Sequence, residues 1–282
     1  MSMSTTLVWK RLLEIFTKML RLEKKIVKTL IRDHVYYPER LITDTLNIIA
    51  RFGVVLILYW YVFKLNGGTI NNTTFQLTAW SMFFYFSFMI FRLRDVSRFI
   101  MQDVKSGNVE VLFSKPISYL SYRFWWQIGA GLYSFVLISV VGFIALYLIV
   151  GLPATMMIPI FIPSLILTFL FSVLISLFLY SIIGLLAFWV EDVNPIFWLV
   201  DKAVMILGGS YLPIALFPVI MYKLAVFSPF GASQFMTHTV YENWSQLWLN
   251  RISIQLFWVI ITGLIVWLVF VKVRKRVSIN GG

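Results

Sequence analysis

Several windows of this chain run past the roughly 20 apolar residues that carry a helix across a bilayer. The window from Phe124 to Val150 contains no charged residue at all. A folded soluble domain keeps polar residues over most of its exterior, so it has nowhere to hide segments of that kind in such number. With 60% of its residues hydrophobic and only 13% charged, the chain reads as an all-α, polytopic membrane protein.

The apolar windows predict six transmembrane helices. The first four cover about 46–63, 75–91, 124–150 and a stretch drawn from 157–190; a fifth starts near Asn194 and the sixth covers about 252–271. Residues 1–45 form an amphipathic and connecting region, 46–271 the transmembrane domain, and 272–282 a basic tail. Nine of the 24 lysines and arginines precede residue 45, six lie between Arg92 and Arg123, and four follow Val271. The positive-inside rule therefore places both termini in the cytoplasm of a cell membrane, which demands an even number of crossings. That parity bears on "NPIFWLVDKAVMILGGSYLPIALFPVIMYKLAVFSPFG", where two full crossings would put "KVRKR" on the wrong side. The better fit is one short crossing, broken at Gly208-Gly209-Ser210, then a re-entrant hairpin over 208–240. A proline-kinked helix is the rival reading. Irregular backbone at that depth must be covered by protein or line a cavity.

Before the first span, Trp9, Leu12, Leu13, Phe16, Leu20, Ile26, Val27, Leu30 and Ile31 recur near helical spacing. Lys10, Arg11, Lys18, Arg21, Lys24, Lys25 and Lys28 fill the other face. This predicts an amphipathic helix on the anionic inner leaflet, or one packed against a partner subunit.

Much chemistry is excluded. There is no cysteine, hence no disulfide framework or thiol chemistry. No G-x-x-x-x-G-K-[ST] loop occurs, so ATP hydrolysis by that route is absent. The net charge of +12 lies beside the spans and accompanies no nucleic-acid motif. His34 and His238 fall on opposite sides of the membrane. Glu242 stands four residues after His238, a spacing a metal could use, but a lone outer-loop histidine is more simply a solvated side chain. Ser210 has no intramembrane histidine to activate it.

Charges inside spans are expensive and need partners. Arg51, near the inner end of the first span, is expected to snorkel to the headgroups. Asp201 and Lys202, about two turns into the fifth span, point in different directions. Either one faces a central cavity or both sit in subunit contacts.

The loop over 92–123 is too long to be a mere turn. Val96, Phe99, Ile100 and Val104 keep one face apolar, so the second helix is expected to continue into the cytoplasm. Gly107 suits a left-handed stop, Asn108 can cap a short helix "VEVLFS" carrying Glu110 in its first turn, and Ser118 can cap the third span.

In "QDVKSGNVEVLFSKPIS", Asp103, Gly107, Glu110, Leu112, Phe113, Pro116 and Ser118 resemble the pattern that follows the second span in membrane subunits of ABC-2 type transporters. In "ILGGSYLPIALFP", Gly209, Pro213 and Pro218 are similar to that family's outer turn. The resemblance implies an exporter half that binds no ATP or magnesium itself. Two separate ATPase subunits would bind both, and a second membrane subunit, identical or paralogous, would complete the path. It implies that the loop helix, with Asp103, Gly107, Asn108, Glu110, Leu112, Phe113, Lys115 and Pro116, couples to the ATPase. Gly208, Gly209, Pro213 and Pro218 would belong to an outer gate. The implied cargo is an amphipathic natural product, drug, peptide or lipid; a polysaccharide is the rival cargo. Outside that family, a non-transporting sensor or assembly protein fits the same loop. A lipid-transferring enzyme should show clustered intramembrane acids or histidines, and none is present.

Overall fold

The computed structural model describes residues 21–33, 39–115 and 117–280. The protein is a helical, multi-pass membrane protein. Four helices are long and apolar enough to cross a membrane, within Thr45–Leu65, Tyr119–Val150, Phe161–Phe188 and Trp244–Arg276. In chain order the helices are α1 (21–33), α2 (Glu39–Leu65), α3 (Phe75–Ile90), α4 (Asp95–Ser106), α5 (Val109–Phe113), α6 (Tyr119–Val150), α7 (Phe161–Leu185), α8 (Asn194–Leu207), α9 (Val219–Phe227), α10 (Pro229–Ala232) and α11 (Trp244–Asn280). Between α2 and α3, β1 (Thr69–Ile70) and β2 (Thr73–Thr74) pair antiparallel. Asn71 and Asn72 make their turn at φ 49° and 58°, the left-handed backbone that a two-residue hairpin requires and asparagine tolerates.

The six-helix expectation meets two short members. At 1.5 Å per residue, the 16 residues of α3 and the 14 of α8 reach about 24 Å and 21 Å, less than a hydrocarbon core of about 30 Å. The last helix is longer than expected and continues without a break through Lys272–Arg276.

Helix α7 is the axis of the molecule. Half of its apolar window is buried, against 17% for α6 and for α11. Ser164, Thr168, Ser172 and Ser176, four residues apart, form a buried stripe of small side chains that lets α11 approach closely. Gln255 of α11 donates to the Thr168 carbonyl, to Ser172 Oγ at 3.0 Å and to the Ala232 carbonyl at 2.9 Å. The Trp244 indole donates to Ser164 Oγ at 2.8 Å. On another face, α4 lies against α7 at Gly184, where an added Cβ would sit 2.8 Å from Ile100 Cβ and 2.9 Å from the Ser97 carbonyl oxygen.

The described part of the leader, α1, packs on the protein's own α6. Leu30 is buried over Gly129, and Ser121 Oγ donates to Glu23 at 3.0 Å. Arg21, Lys24, Lys25 and Lys28 are exposed. The rest of that predicted helix lies outside the described residues.

Candidate functional site

Three places carry the polar and exposed groups singled out above, and the first is the loop after α3. Its helix is not continuous with α3. The chain breaks over Phe91–Arg94, with Arg92 at φ 52°, and α4 restarts at Asp95, which accepts from Arg92 at 3.0 Å and lies 3.7 Å from Arg98. At its other end α4 stops as expected: Gly107 takes φ 72°, ψ 0° and its N–H reaches the Val104 carbonyl. Asn108, by contrast, has helical backbone and caps nothing with its side chain, and Ser118 makes no capping bond either. A left-handed glycine already turns the chain far enough for α5 to start without a side-chain cap.

Asp103 proves internal. It is buried, accepts from the Tyr119 hydroxyl at 2.6 Å and from Arg123 Nε at 2.7 Å, and is also bonded by Arg123 Nη2. This ties the end of α4 to the first turns of α6. Phe113 is stacked between Tyr119 at 5.3 Å and Phe270 of α11 at 5.8 Å, and Leu112 packs against the same cluster. Lys115 Nζ lies 4.5 Å from the Tyr122 ring centroid. Lys105, Gly107, Asn108, Glu110 and Val111 are exposed. Glu110 lines a hollow of about 290 Å³ together with Val109, Phe188 and Arg276. Pro116 lies outside the described residues.

The second place is a cavity of about 920 Å³ walled by α2, α3 and α8. It gathers the three charges that the sequence reading puts inside spans: Arg51, Asp201 and Lys202 line it, with Arg94, Tyr85 and Trp198. Asp201 is 1% exposed. Its partners are Arg94, at 3.2 Å, and the Tyr180 hydroxyl, at 3.0 Å, so one carboxylate joins the α3–α4 break, α7 and α8. Arg98 reinforces the junction by lying over the Phe197 ring, 4.6 Å from its centroid. Lys202 is exposed, 5.6 Å from the Trp198 ring centroid. Arg51 is exposed on the wall of the cavity.

The third place is the segment after α8. Gly209, at φ 88°, turns the chain where α8 ends, and Gly208 packs so closely on Gln234 that a Cβ would meet its Cγ at 2.5 Å. Pro213 leads into a short 3-10 turn and Pro218 into α9. The helices that follow have 9 and 4 residues, too few to cross a bilayer. They are pressed together at Gly231, where any Cβ would overlap the Ala225 carbonyl. Val219, Ile220, Leu224 and Phe227 of α9 are exposed. Tyr59 of α2 donates to the Tyr211 carbonyl at 2.6 Å, tying this segment to the first long helix.

His238 departs from its expected solvated place. It is 6% exposed, with its ring 4.8 Å from that of Phe235. Burial, and then the nearby Arg251 charge, push its pKa down to about 3. It shares a pocket of about 350 Å³ with Glu242, Tyr222, Tyr241 and Arg251. His34 lies outside the described residues, and among those described no cluster of histidines and carboxylates could hold a metal ion.

No family model matches the sequence, and no curated protein matches it at a significant level.

Proposed function

We propose that this chain is the membrane half of an ATP-driven exporter of the ABC-2 type, with α4 and α5 as its coupling element. One observation carries the reading: this element is anchored on three sides and bare on the fourth. Asp103 holds it to α6, Gly184 seats it on α7, and Arg94 links its lead to Asp201 of α8. Lys105, Gly107, Asn108, Glu110 and Val111 are left uncovered. A partner pressing there would move three helices as one body and deform the cavity that α8 walls, a rigid-body switch.

In this reading α3 and α8 are the second and fifth of six crossings, each lengthened by the irregular backbone beside it. The hairpin of α9 and α10 is re-entrant from the outer side, with Gly208, Gly209, Pro213 and Pro218 at the gate. Both termini are cytoplasmic. Two ATPase subunits hold the ATP and magnesium, and a second membrane subunit faces the cavity. The cargo is amphipathic, because the cavity mixes Arg51 and Lys202 with Val54, Met89 and Trp198.

The test is gentle detergent purification of the tagged protein from its native membrane, with mass spectrometry of what stays bound. The expected result is an ATPase carrying a phosphate-loop motif, lost when residues 107–115 are replaced by a flexible linker that leaves the protein monodisperse. Purification free of any ATPase under several mild conditions overturns the reading.

A further inference from the structure

Arg251, the eighth residue of α11, is 5% exposed, and none of the described carboxylates pairs with it. Its Nη2 donates to the Tyr222 hydroxyl at 2.7 Å and its Nη1 to Asn250 Oδ1 at 3.2 Å, while its Nε is buried without a partner. The guanidinium lies 5.7 Å and 5.8 Å from the ring centroids of Tyr222 and Phe235, so aromatic faces supply part of its environment. An arginine desolvated without a counter-charge is strongly unfavourable. His238 Nε2 is likewise buried without a hydrogen-bond partner. Both residues line the pocket of about 350 Å³.

We propose that this pocket binds a small anionic group, a carboxylate or phosphate, with Arg251 as its charge partner. Arginine's planar fork suits either anion. Asn71, Asn72 and Asn243 line the same pocket and contribute neutral polar groups. Glu242 also lines it, exposed, and its carboxylate opposes the entry of a second negative charge. The pocket is at the lower end of the size range of small-molecule sites, enough for a headgroup or a small acid. Its Trp244 meets Ser164 near the start of α7, whereas α4 sits at Gly184 near the end of that helix, and the proposal stands whatever the chain transports.

The experiment uses the full-length protein in neutral-lipid nanodiscs. One arm titrates inorganic phosphate, and separately acetate, against chloride at matched ionic strength and follows binding by calorimetry. The other compares nanodiscs containing phosphatidylglycerol with phosphatidylcholine alone, reading bound lipid by native mass spectrometry. Saturable phosphate or acetate binding identifies a free anion; selective retention of phosphatidylglycerol identifies a headgroup. In either arm, R251Q should weaken binding roughly tenfold or more, the loss of a charge-assisted contact. E242Q, at an exposed position that folding tolerates, should tighten it several-fold. The E242Q result stands even if R251Q does not fold. Absence of both kinds of binding in the unaltered protein overturns the proposal, and so does binding that E242Q leaves unchanged.

Discussion

His238 is a histidine that folding keeps from ionising. The titratable and charged groups that share its pocket are Arg251 of α11, Tyr222 of α9, and Tyr241 and Glu242 in the turn that follows. Its pKa falls from an ordinary 6.5 to about 3. Between those values the unfolded chain takes up a proton that the folded chain refuses, so stability present above pH 6.5 is lost as the pH drops. From pH 7 to 4.5 this one group should remove about 2–3 kcal/mol. Unfolding midpoints measured across that range in the unaltered protein and in H238Q check the assignment. H238Q should lose stability to acid less steeply; parallel curves would place the titration on other groups. The sequence could not announce this burial. Only the 3-10 turn holding His238, packed against α3 and α7, removes the ring from water. Asp103 was similarly opaque. Its position in the loop was legible, yet nothing in the order of residues says that its carboxylate turns inward to Tyr119 and Arg123 rather than outward to a partner. Gly107 was legible because its role is local: a glycine between two helical patterns adopts the left-handed stop with no help from tertiary contacts.

At the scale of elements, hydropathy and helical period identified the long helices, because both are properties of contiguous residues. What joins the helices was less visible. The serine and threonine stripe of α7 could have been read from its spacing of four, and marks the face that meets α11. Gly184 carried no such signal, since nothing nearby says that α4 will fold back against it. Its importance is testable against Gly53 of α2, which has nothing within 4 Å of an added Cβ. At Gly184 the obstruction includes the Ser97 backbone, which no rotamer change relieves. G184V should therefore destabilise the protein by about 1–3 kcal/mol. G53A should be neutral or stabilise it by up to about 1 kcal/mol, because alanine is the better helix former. Thermal unfolding of both variants in one detergent decides the point, and an equal response would show that α4 is not seated firmly on α7.

For the whole molecule, the decisive feature is how unevenly its long helices are covered. Only 11% of the α2 window is buried, and that helix walls one side of the cavity holding Arg51 and Lys202. Charged side chains are unfavourable against lipid, so a cavity lined by them is better closed by protein than by acyl chains. The exposed faces of α6 and α11 present Leu148 and Trp267, which lipid can cover without penalty. The second membrane subunit proposed above should therefore meet this chain across the α2 and α8 side. The absence of native cysteine makes the test clean, because every introduced thiol is the only one. Single cysteines at Lys202 and Trp198 should give a disulfide-linked dimer in native membranes under mild oxidation, or a cross-link of different mass if the partner is a paralogue carrying a thiol. Cysteines at Leu148 and Trp267 should stay monomeric. Cross-linking confined to the α6 and α11 positions would put the partner on the other side and leave the charges of the cavity facing something other than a second subunit.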